Sequence, residues 1–272
     1  QEFTTARLDF DLTDAHRLTL NYKEVDSSKL NGANSSSRTM RFSSAEYQKG
    51  EITETTGMLL VSNWSDDFIT EVSFSTKEQI TSQMSPVGQA LPFFQINDCG
   101  SQGIRCELGP DVSRHANDLA TETTFAKIKG TYYMGNHKLT FGYENKLWDI
   151  YNVYLEAQDG AYEFEGITNY QAQVASSFEY SNSRDLTQLG AAAAFEYYLD
   201  SFYVQDEIDI SEKLNVLIGV RYDEFDSDDS PALNQGFLDT YGFANGGIAG
   251  TDIINYRLSF DYEIDEVSRL KG

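Results

Sequence analysis

The sequence predicts an all-β protein: part of an antiparallel up-and-down transmembrane β-barrel, with about nine strands of a larger barrel. Long segments alternate apolar and polar residues at a period of two, which is typical of strands whose two sides face different surroundings. The connections between these segments alternate between short and long along the chain. Of the 272 residues, 13% are aromatic. No run approaches the roughly 18 consecutive apolar residues of a membrane-spanning helix.

Two hairpins fill the first eighty or so residues. Apolar residues at positions 8, 10 and 12 alternate with charged residues at 7, 9 and 11, and the pattern resumes over 17–25 after a turn at 13–16. Segment 26–44 is rich in Ser, Asn and Gly and is predicted to be a loop. A weak alternation over 45–61 and a clearer one over 68–80 predict the next two strands, which the polar segment 63–67 separates.

The middle of the chain supplies strands five and six between two long connections. Segments 118–134 and 137–150 are predicted strands around the turn dipeptide Gly135-Asn136. The preceding segment, 81–117, has no usable periodicity and holds both cysteines. The following segment, 151–189, is predicted to be a loop with one short strand within 171–180.

The clearest hairpin covers residues 198–223, around a polar turn at 209–213. A loop over 226–252 then leads to a ninth strand, in which residues 258, 260, 262 and 264 are apolar and the residues between them are polar. In a membrane barrel the apolar side faces lipid and the polar side faces the lumen. The hairpin therefore predicts lipid contact for Leu214, Val216, Ile218 and Val220, and a lumen position for Asn215, Gly219 and Arg221.

The order of the connections favours a membrane barrel over a soluble sandwich. Outer-membrane barrels have short periplasmic turns and long extracellular loops, whereas the Greek-key crossovers of a sandwich mix lengths at both ends. The predicted turns would then be periplasmic. The loops around 81–117, 151–189 and 226–252 would all emerge on the extracellular side.

Composition excludes one class of partner. The net charge of −23, from 43 acidic and 20 basic residues, argues against a nucleic-acid partner, which needs a basic surface. Two interpretations of the acidic residues remain open: solvation of loops and lumen, or binding of divalent cations by some of them. The four aspartates at 223–229 lack the glycine and closing glutamate of a calcium loop, and a solvated loop is the expectation there.

No catalytic, cofactor or metal site is expected. The three histidines are scattered, and neither a nucleophile motif nor a Gly-rich phosphate loop is present, so the protein is not expected to be an enzyme. Cys99 and Cys106 cannot complete a four-ligand zinc site and do not form a CxxC motif. We expect them to form a structural disulfide in an oxidising compartment.

Aromatic residues in the long loops are the candidate ligand contacts, because they offer stacking surface to an arriving ligand. The alternative for each is that it packs the loops against one another. Trp64 and Trp148, near predicted strand ends, are expected at opposite membrane interfaces. The candidate contacts are Phe93, Phe94, Tyr162, Phe164, Tyr170, Phe237 and Tyr241.

Several strand motifs resemble those of TonB-dependent outer-membrane receptors, most closely the Oar-like branch. They are F-Y-V-Q-D-E at 202–207, G-V-R-Y-D at 219–223, L-T-F-G-Y-E at 139–144, G-A-Y-E-F at 160–164 and Y-R-L-S-F at 256–260. Together they cover roughly residues 118–264. The resemblance implies a barrel of about 22 strands that is filled by a plug domain.

The resemblance also implies a function and partners. Residues 1–272 would belong to one β-barrel domain of the bacterial outer membrane, with the plug outside this chain. The receptor would take up a nutrient, and its partners would be membrane lipid, the rest of the barrel, an unknown ligand and, through the plug, the TonB complex. The alternatives are a self-contained passive porin or structural outer-membrane barrel and, less favoured, a secreted β-sandwich adhesin.

Overall fold

The computed structural model describes residues 1–32, 34–88, 90–100, 103–247, 249–265 and 267–272. Strands dominate this part of the chain, and no helix in it is long and apolar enough to span a membrane. In chain order the strands are β1 (Glu2–Thr13), β2 (His16–Asn31), β3 (Thr39–Arg41), β4 (Tyr47–Asn63), β5 (Phe68–Met84), β6 (Phe93–Asn97), β7 (Arg105–Leu108), β8 (Ala116–Met134), β9 (His137–Leu155), β10 (Ala161–Glu165), β11 (Ser177–Glu179), β12 (Ala193–Ser211), β13 (Leu214–Asp226), β14 (Thr251–Asp265) and β15 (Ser268–Lys271). The α-helices are α1 (Gly166–Gln171), α2 (Gln188–Ala191) and α3 (Gln235–Tyr241), and 3-10 turns occur at Ser43–Ala45 and Val112–Arg114.

Ten strands form one antiparallel sheet in the order β1-β2-β4-β5-β8-β9-β12-β13-β14-β15. Each strand pairs with the next long strand of the chain, so the topology is up-and-down, as predicted. The first nine are long and correspond to the nine predicted strands, and the short strand β15 was not predicted. The sheet is open, with β1 and β15 at its edges, as expected for part of a barrel.

The alternation of short and long connections is confirmed. Turns at 14–15, 64–67, 135–136 and 212–213 lie at one end of the sheet, and the long connections at 32–46, 85–115, 156–192 and 227–250 lie at the other.

Several predicted boundaries were wrong. The loops predicted over 81–117 and 151–189 begin later, because β5 extends to Met84 and β9 to Leu155. The loop predicted over 26–44 begins later, because β2 remains paired with β4 as far as Asn31 opposite Tyr47. The turn predicted at 209–213 is shorter, because β12 continues past a register shift between Asp209 and Ser211. In these cases ladder hydrogen bonds extend the strands beyond the ends that the local composition indicates.

The two faces of the sheet differ in chemistry as the alternation predicts. Residues at 214, 216, 218 and 220 share one face, which we call the outward face, and residues at 215, 219 and 221 share the other, which we call the inward face. One outward row is apolar across all nine long strands. It consists of Phe10, Leu18, Leu60, Val72, Ile128, Tyr143, Phe202, Tyr222 and Ile254, and we refer to it as the reference row.

The buried apolar residues lie at the long-loop end rather than in the wall. Ile96, Cys106 and Phe164 come from strands inside the loops, and Ala116 and Val153 from the loop ends of β8 and β9. A single-layer wall with lipid on one side and a lumen on the other buries little by itself. The long loops therefore have a small core of their own.

Candidate functional site: the loop sheet and the inner wall

Three of the long loops are joined in a second sheet, which we call the loop sheet. Its five short strands follow the order β11-β10-β6-β7-β3. Strand β3 comes from the first loop, β6 and β7 from the second, and β10 and β11 from the third. The pairs that link different loops, β10 with β6 and β3 with β7, are parallel. Backbone hydrogen bonds therefore connect loops that are distant in sequence. The segment 81–117, which has no periodicity, contributes two strands to this sheet.

A disulfide links the end of β6 to β7. Cys99 and Cys106 are bonded, with their Cα atoms 5.7 Å apart, which confirms the predicted pair. Cys106 is 2% exposed and belongs to the loop core. The bridge therefore fixes the connection between β6 and β7 and anchors it in that core.

A charged cluster joins the first loop to the second. Glu107 of β7 lies between two arginines, with Arg41 Nε 2.6 Å and Arg105 Nε 3.1 Å from its carboxylate oxygens. The Glu107 side chain is 7% exposed, while both arginines are more than 40% exposed. A buried carboxylate needs such partners, so this cluster stabilises the pairing of β3 with β7.

One face of the loop sheet is aromatic. The ring centroids of Phe94 and Tyr162 are 5.7 Å apart, and those of Tyr162 and Phe178 are 4.7 Å apart, which makes a ladder across β6, β10 and β11. Tyr170 of α1 lies against this face, 5.3 Å from Phe164 and 5.9 Å from Phe94. The structure thus brings together four of the candidate residues, at positions 94, 162, 164 and 170.

The candidates differ in accessibility. Phe164 is buried, and it packs the loops together, as the alternative interpretation of the aromatic residues states. Phe93 lies on the opposite face of the loop sheet, because neighbouring residues of a strand alternate. Phe178 and Tyr180 were not among the candidates, yet they are about half exposed and extend the ladder. The composition of segment 171–180 could have indicated them, since a short strand was expected there.

The other face of the loop sheet is polar. Asn97 donates to Glu163 Oε1 at 2.7 Å and to Glu165 Oε1 at 3.0 Å, and Gln95 also donates to Glu163 Oε1 at 3.0 Å. These bonds cross the parallel junction of β6 and β10. They fix the register of the second loop against the third.

His115 lies at the base of the loop sheet, where the second and third loops meet. It is 1% exposed, and its Nδ1 accepts a hydrogen bond from the Asp159 backbone N–H at 3.2 Å. That bond requires the neutral tautomer with its proton on Nε2, which has no partner among the residues described. Burial lowers the pKa of His115, and the nearby carboxylates of Asp159 and Asp111 oppose this effect.

The fourth long loop carries a separate aromatic cluster. Phe237 and Tyr241 of α3 have ring centroids 4.7 Å apart, and Phe243 packs edge-on against Phe237 at 5.4 Å. Tyr241 and Phe243 are each about 60% exposed. The two candidates of this loop, at 237 and 241, are therefore together but not part of the loop-sheet ladder.

The inward face of the wall carries a network of ion pairs. Arg221 Nε lies 2.8 Å from Asp223 Oδ1, and its NH1 lies 3.1 Å from Glu144 Oε2. Ser201 donates to Asp223 Oδ1 at 2.6 Å. Asp223 is thus held within the wall. The structure gives no support for a cation site at the acidic start of the fourth loop, since the described residues contain no His, Cys, Asp or Glu group that could hold a metal.

The two tryptophans do not mark opposite interfaces. Trp64 lies in a short turn, is exposed, and contacts His16 with ring centroids 5.1 Å apart, as an interfacial residue would. Trp148 faces inward and stacks on Tyr197 at 4.5 Å, because its even position in β9 is an inward one. The expectation for Trp148 was wrong, since closeness to a strand end does not decide which face a residue occupies.

A family model decides the class of this wall. The model of the outer membrane beta barrel domain matches residues 1–251. The chain belongs to this family. As an outer-membrane barrel domain it lies in the bacterial outer membrane, as predicted, and its outward face contacts lipid. No curated protein matches the chain.

Solved structures share the fold of this outer-membrane barrel domain. The outer membrane transporter YddB from Escherichia coli matches with a TM-score of 0.61 and 13% identity over 96% of the chain. The ferric-catecholate import receptor Fiu from E. coli K12, in its closed form, gives 0.60 and 13% over 97%. P. aeruginosa FpvA bound to heterologous pyoverdines gives 0.57 and 12% over 97%.

These likenesses confirm the resemblance to TonB-dependent receptors at the level of fold. At such low identity they carry nothing about ligands, and the Oar-like branch stays a prediction. The chain spans 29% of the length of YddB, 41% of Fiu and 33% of FpvA. It therefore matches one part of the wall of each.

Proposed function

We propose that residues 1–272 form part of the wall and mouth of a TonB-dependent receptor that takes up a nutrient across the outer membrane. In this proposal the plug and the remaining strands lie outside this chain, and the barrel is not an enzyme. The loop sheet is the surface that first contacts the ligand. The structural neighbours include a transporter and an import receptor, which favours transport over catalysis.

The aromatic face of the loop sheet supports the proposal most directly. Barrel closure requires only that strand ends be connected, and turns of two to five residues suffice for that. Here three long loops instead build a braced sheet with a row of aromatic rings, of which Phe178 is 55% exposed. Exposed rings on a rigid support lose little entropy on binding, which suits ligand recognition.

The test uses the complete receptor expressed in its own cells, grown with one nutrient limiting at a time. Deleting the receptor should slow growth on its substrate, and deleting TonB should slow it equally. A passive porin would support growth without TonB, so wild-type growth of the TonB deletion would contradict the proposal.

Point variants then test the ligand surface. Phe178→Ala should raise the nutrient concentration needed for half-maximal growth, by roughly tenfold if the ring carries a typical anchoring contact of about 1.4 kcal/mol. Phe42→Ala is the matched control, because this phenylalanine of the first loop is also exposed and is not one of the ladder residues. Equal effects of the two substitutions would show that the ladder is not the contact surface.

A further inference from the structure

The outward face of the wall carries no lysine or arginine in any of its nine long strands. Every such residue in these strands lies at an inward position of the cross-strand register. The outward face does carry carboxylates, and their arrangement is regular. This segregation of basic residues to the inward face concerns the lipid-facing surface. It does not depend on the uptake function proposed above.

The short turns reveal the tilt of the strands. We counted the residues between the reference row and the turn end of each strand. The start of β2 at His16 lies two residues below the row, the start of β9 at His137 lies six below, and the start of β13 at Leu214 lies eight below. The turn end therefore descends by about one residue per strand across the sheet. If the turns share one plane, one residue of rise per strand spacing gives a tilt of about 35°, within the usual range for barrels.

On the eight strands from β2 to β14, the first outward-facing acid above the reference row lies lower on the later strands. On β2, β4, β5, β8 and β9 it lies six residues above the reference row, and on β12, β13 and β14 it lies only two above. The border therefore keeps to one register row from β2 to β9 and drops by four residues between β9 and β12. From β2 to β13 the border falls by four residues in all, and the turn end falls by six. The eight residues are Glu24, Glu54, Glu78, Glu122, Asp149, Asp200, Glu224 and Asp252.

The distance between the turns and these acids matches the thickness of a membrane. From the start of the strand to its acid, the advance is eight residues on β2, ten on β5 and on β13, and twelve on β9, with a mean of ten. At about 35° tilt, ten residues rise about 27 Å, close to the ~25 Å apolar band of outer-membrane barrels. Side chains between these limits on the outward face are apolar or uncharged, except for a His137–Asp206 pair and His16.

We propose that the eight carboxylates form an acidic girdle that meets the headgroups of the outer leaflet, with the membrane hydrocarbon ending immediately below it. Like charges at adjacent cross-strand positions, such as Glu54, Glu78 and Glu122, destabilise a sheet unless water or counter-charge surrounds them. A headgroup layer provides such surroundings, whereas hydrocarbon does not. Above the girdle the strands project into the aqueous exterior and support the loop sheet.

Spin labels on two positions of one register row test the girdle. Phe74 and Glu224 lie in the same row of cross-strand pairs, yet the proposal places the first in hydrocarbon and the second at the headgroups. Nitroxides at Phe74→Cys and Glu224→Cys would be compared in the complete receptor, in phosphatidylcholine vesicles. The native cysteines are disulfide-bonded and do not react.

The label at 74 should be several-fold more accessible to oxygen than the label at 224. The label at 224 should be several-fold more accessible to a water-soluble nickel chelate than the label at 74. On β5 itself the change should fall between Thr76→Cys and Glu78→Cys. Equal accessibility at 74 and 224 would mean that the border follows the register rows rather than the membrane plane, and would overturn the proposal.

A second measurement tests contact with headgroups. The denaturant midpoint of unfolding should be lower in anionic phosphatidylglycerol vesicles than in phosphatidylcholine, because like charges repel. The triple variant Glu54→Gln, Glu78→Gln, Glu122→Gln should lose most of this difference. The control triple Asp228→Asn, Asp239→Asn, Glu179→Gln removes the same charge from exposed loop positions and should keep it. If the two triple variants show the same difference in midpoint between the two lipids, the girdle does not contact the headgroups and the proposal is overturned.

Discussion

At the scale of single residues, Asp206 is an exception that needs a physical account. It is outward-facing and lies inside the apolar band, between Leu139 and Ile218 on the neighbouring strands. Its Oδ2 reaches Nδ1 of His137, which lies two residues closer to the periplasmic turns, at 2.7 Å. Its Oδ1 is buried without a partner among the residues described. The side chain thus directs its charge toward the membrane interface, and the histidine is what makes its position tolerable.

Replacing the histidine should therefore be costly. His137→Leu leaves Asp206 without its partner in an apolar setting. We expect the free energy of unfolding in vesicles to fall by about 1–3 kcal/mol. This loss is smaller than that for a fully buried pair, because both side chains are partly exposed. Lys138→Ala is the matched control. It removes the neighbouring inward pair with Glu207, which is more exposed, and should cost less than about 1 kcal/mol. Equal losses would contradict this account of Asp206.

His115 makes the loop sheet sensitive to acid. Because burial holds the pKa of His115 below its ordinary value, the opened loops bind a proton more readily than the closed ones do. The stabilisation is complete above the ordinary histidine value of about 6.5 and is lost as the pH falls below it. Protonation at Nδ1 would also break the bond from the Asp159 amide.

Amide hydrogen exchange measures this loss. After correction for the intrinsic rate, the Asp159 amide should exchange faster at pH 5.5 than at pH 7.5. His115→Gln is the control, since its side-chain oxygen can accept the same hydrogen bond and does not titrate. A pH dependence that persists in the glutamine variant would assign the effect to another group, such as Asp159, whose pKa burial raises.

At the scale of elements, the long strands were predictable and the loop sheet was not. Each long strand repeats its alternation over many residues, so a sequence window contains enough periods to identify it. Strands such as β3 and β7 have three and four residues, and they pair in parallel although about 66 positions separate Thr39 from Arg105. No local pattern reports a pairing of that kind. The candidate aromatic residues were therefore identified by type, while their division between two clusters depended on pairings that only the structure shows.

The disulfide should act on the loop sheet alone. Cys99 and Cys106 close a short loop, for which the chain-entropy model gives about 2 kcal/mol of local stabilisation. In the double variant Cys99→Ala, Cys106→Ala, amides of β3, β6 and β7 should exchange faster, while those of β5 and β8 remain unchanged. Faster exchange throughout the wall would contradict a local role. Peptide mass spectrometry without reduction checks the bridge in the wild type.

At the scale of the whole molecule, the wall and its loops are separate units. The wall depends on membrane and lumen for its two surroundings, and the loops depend on a core of their own around Ile96 and Phe164. The fourth loop is anchored differently, near its start. There the Ser227 hydroxyl donates to the Glu196 carbonyl at 2.5 Å, and Asp229 Oδ2 accepts from the Glu196 N–H at 2.7 Å.

This separation predicts that the tip of the fourth loop is dispensable for assembly and required for uptake. Deleting residues 230–247 from the complete receptor keeps the anchors at 227 and 229. The barrel should still assemble, as judged by its heat-modifiable mobility on gels, and the Cys99–Cys106 bridge should still form. Uptake should fall, because the rings of Phe237 and Tyr241 are lost.

The full-length variant Phe237→Ala, Tyr241→Ala, Phe243→Ala separates ring contact from loop bulk and should reproduce most of the defect. Failed assembly would make the loop structural, and normal uptake in both variants would place recognition outside this loop.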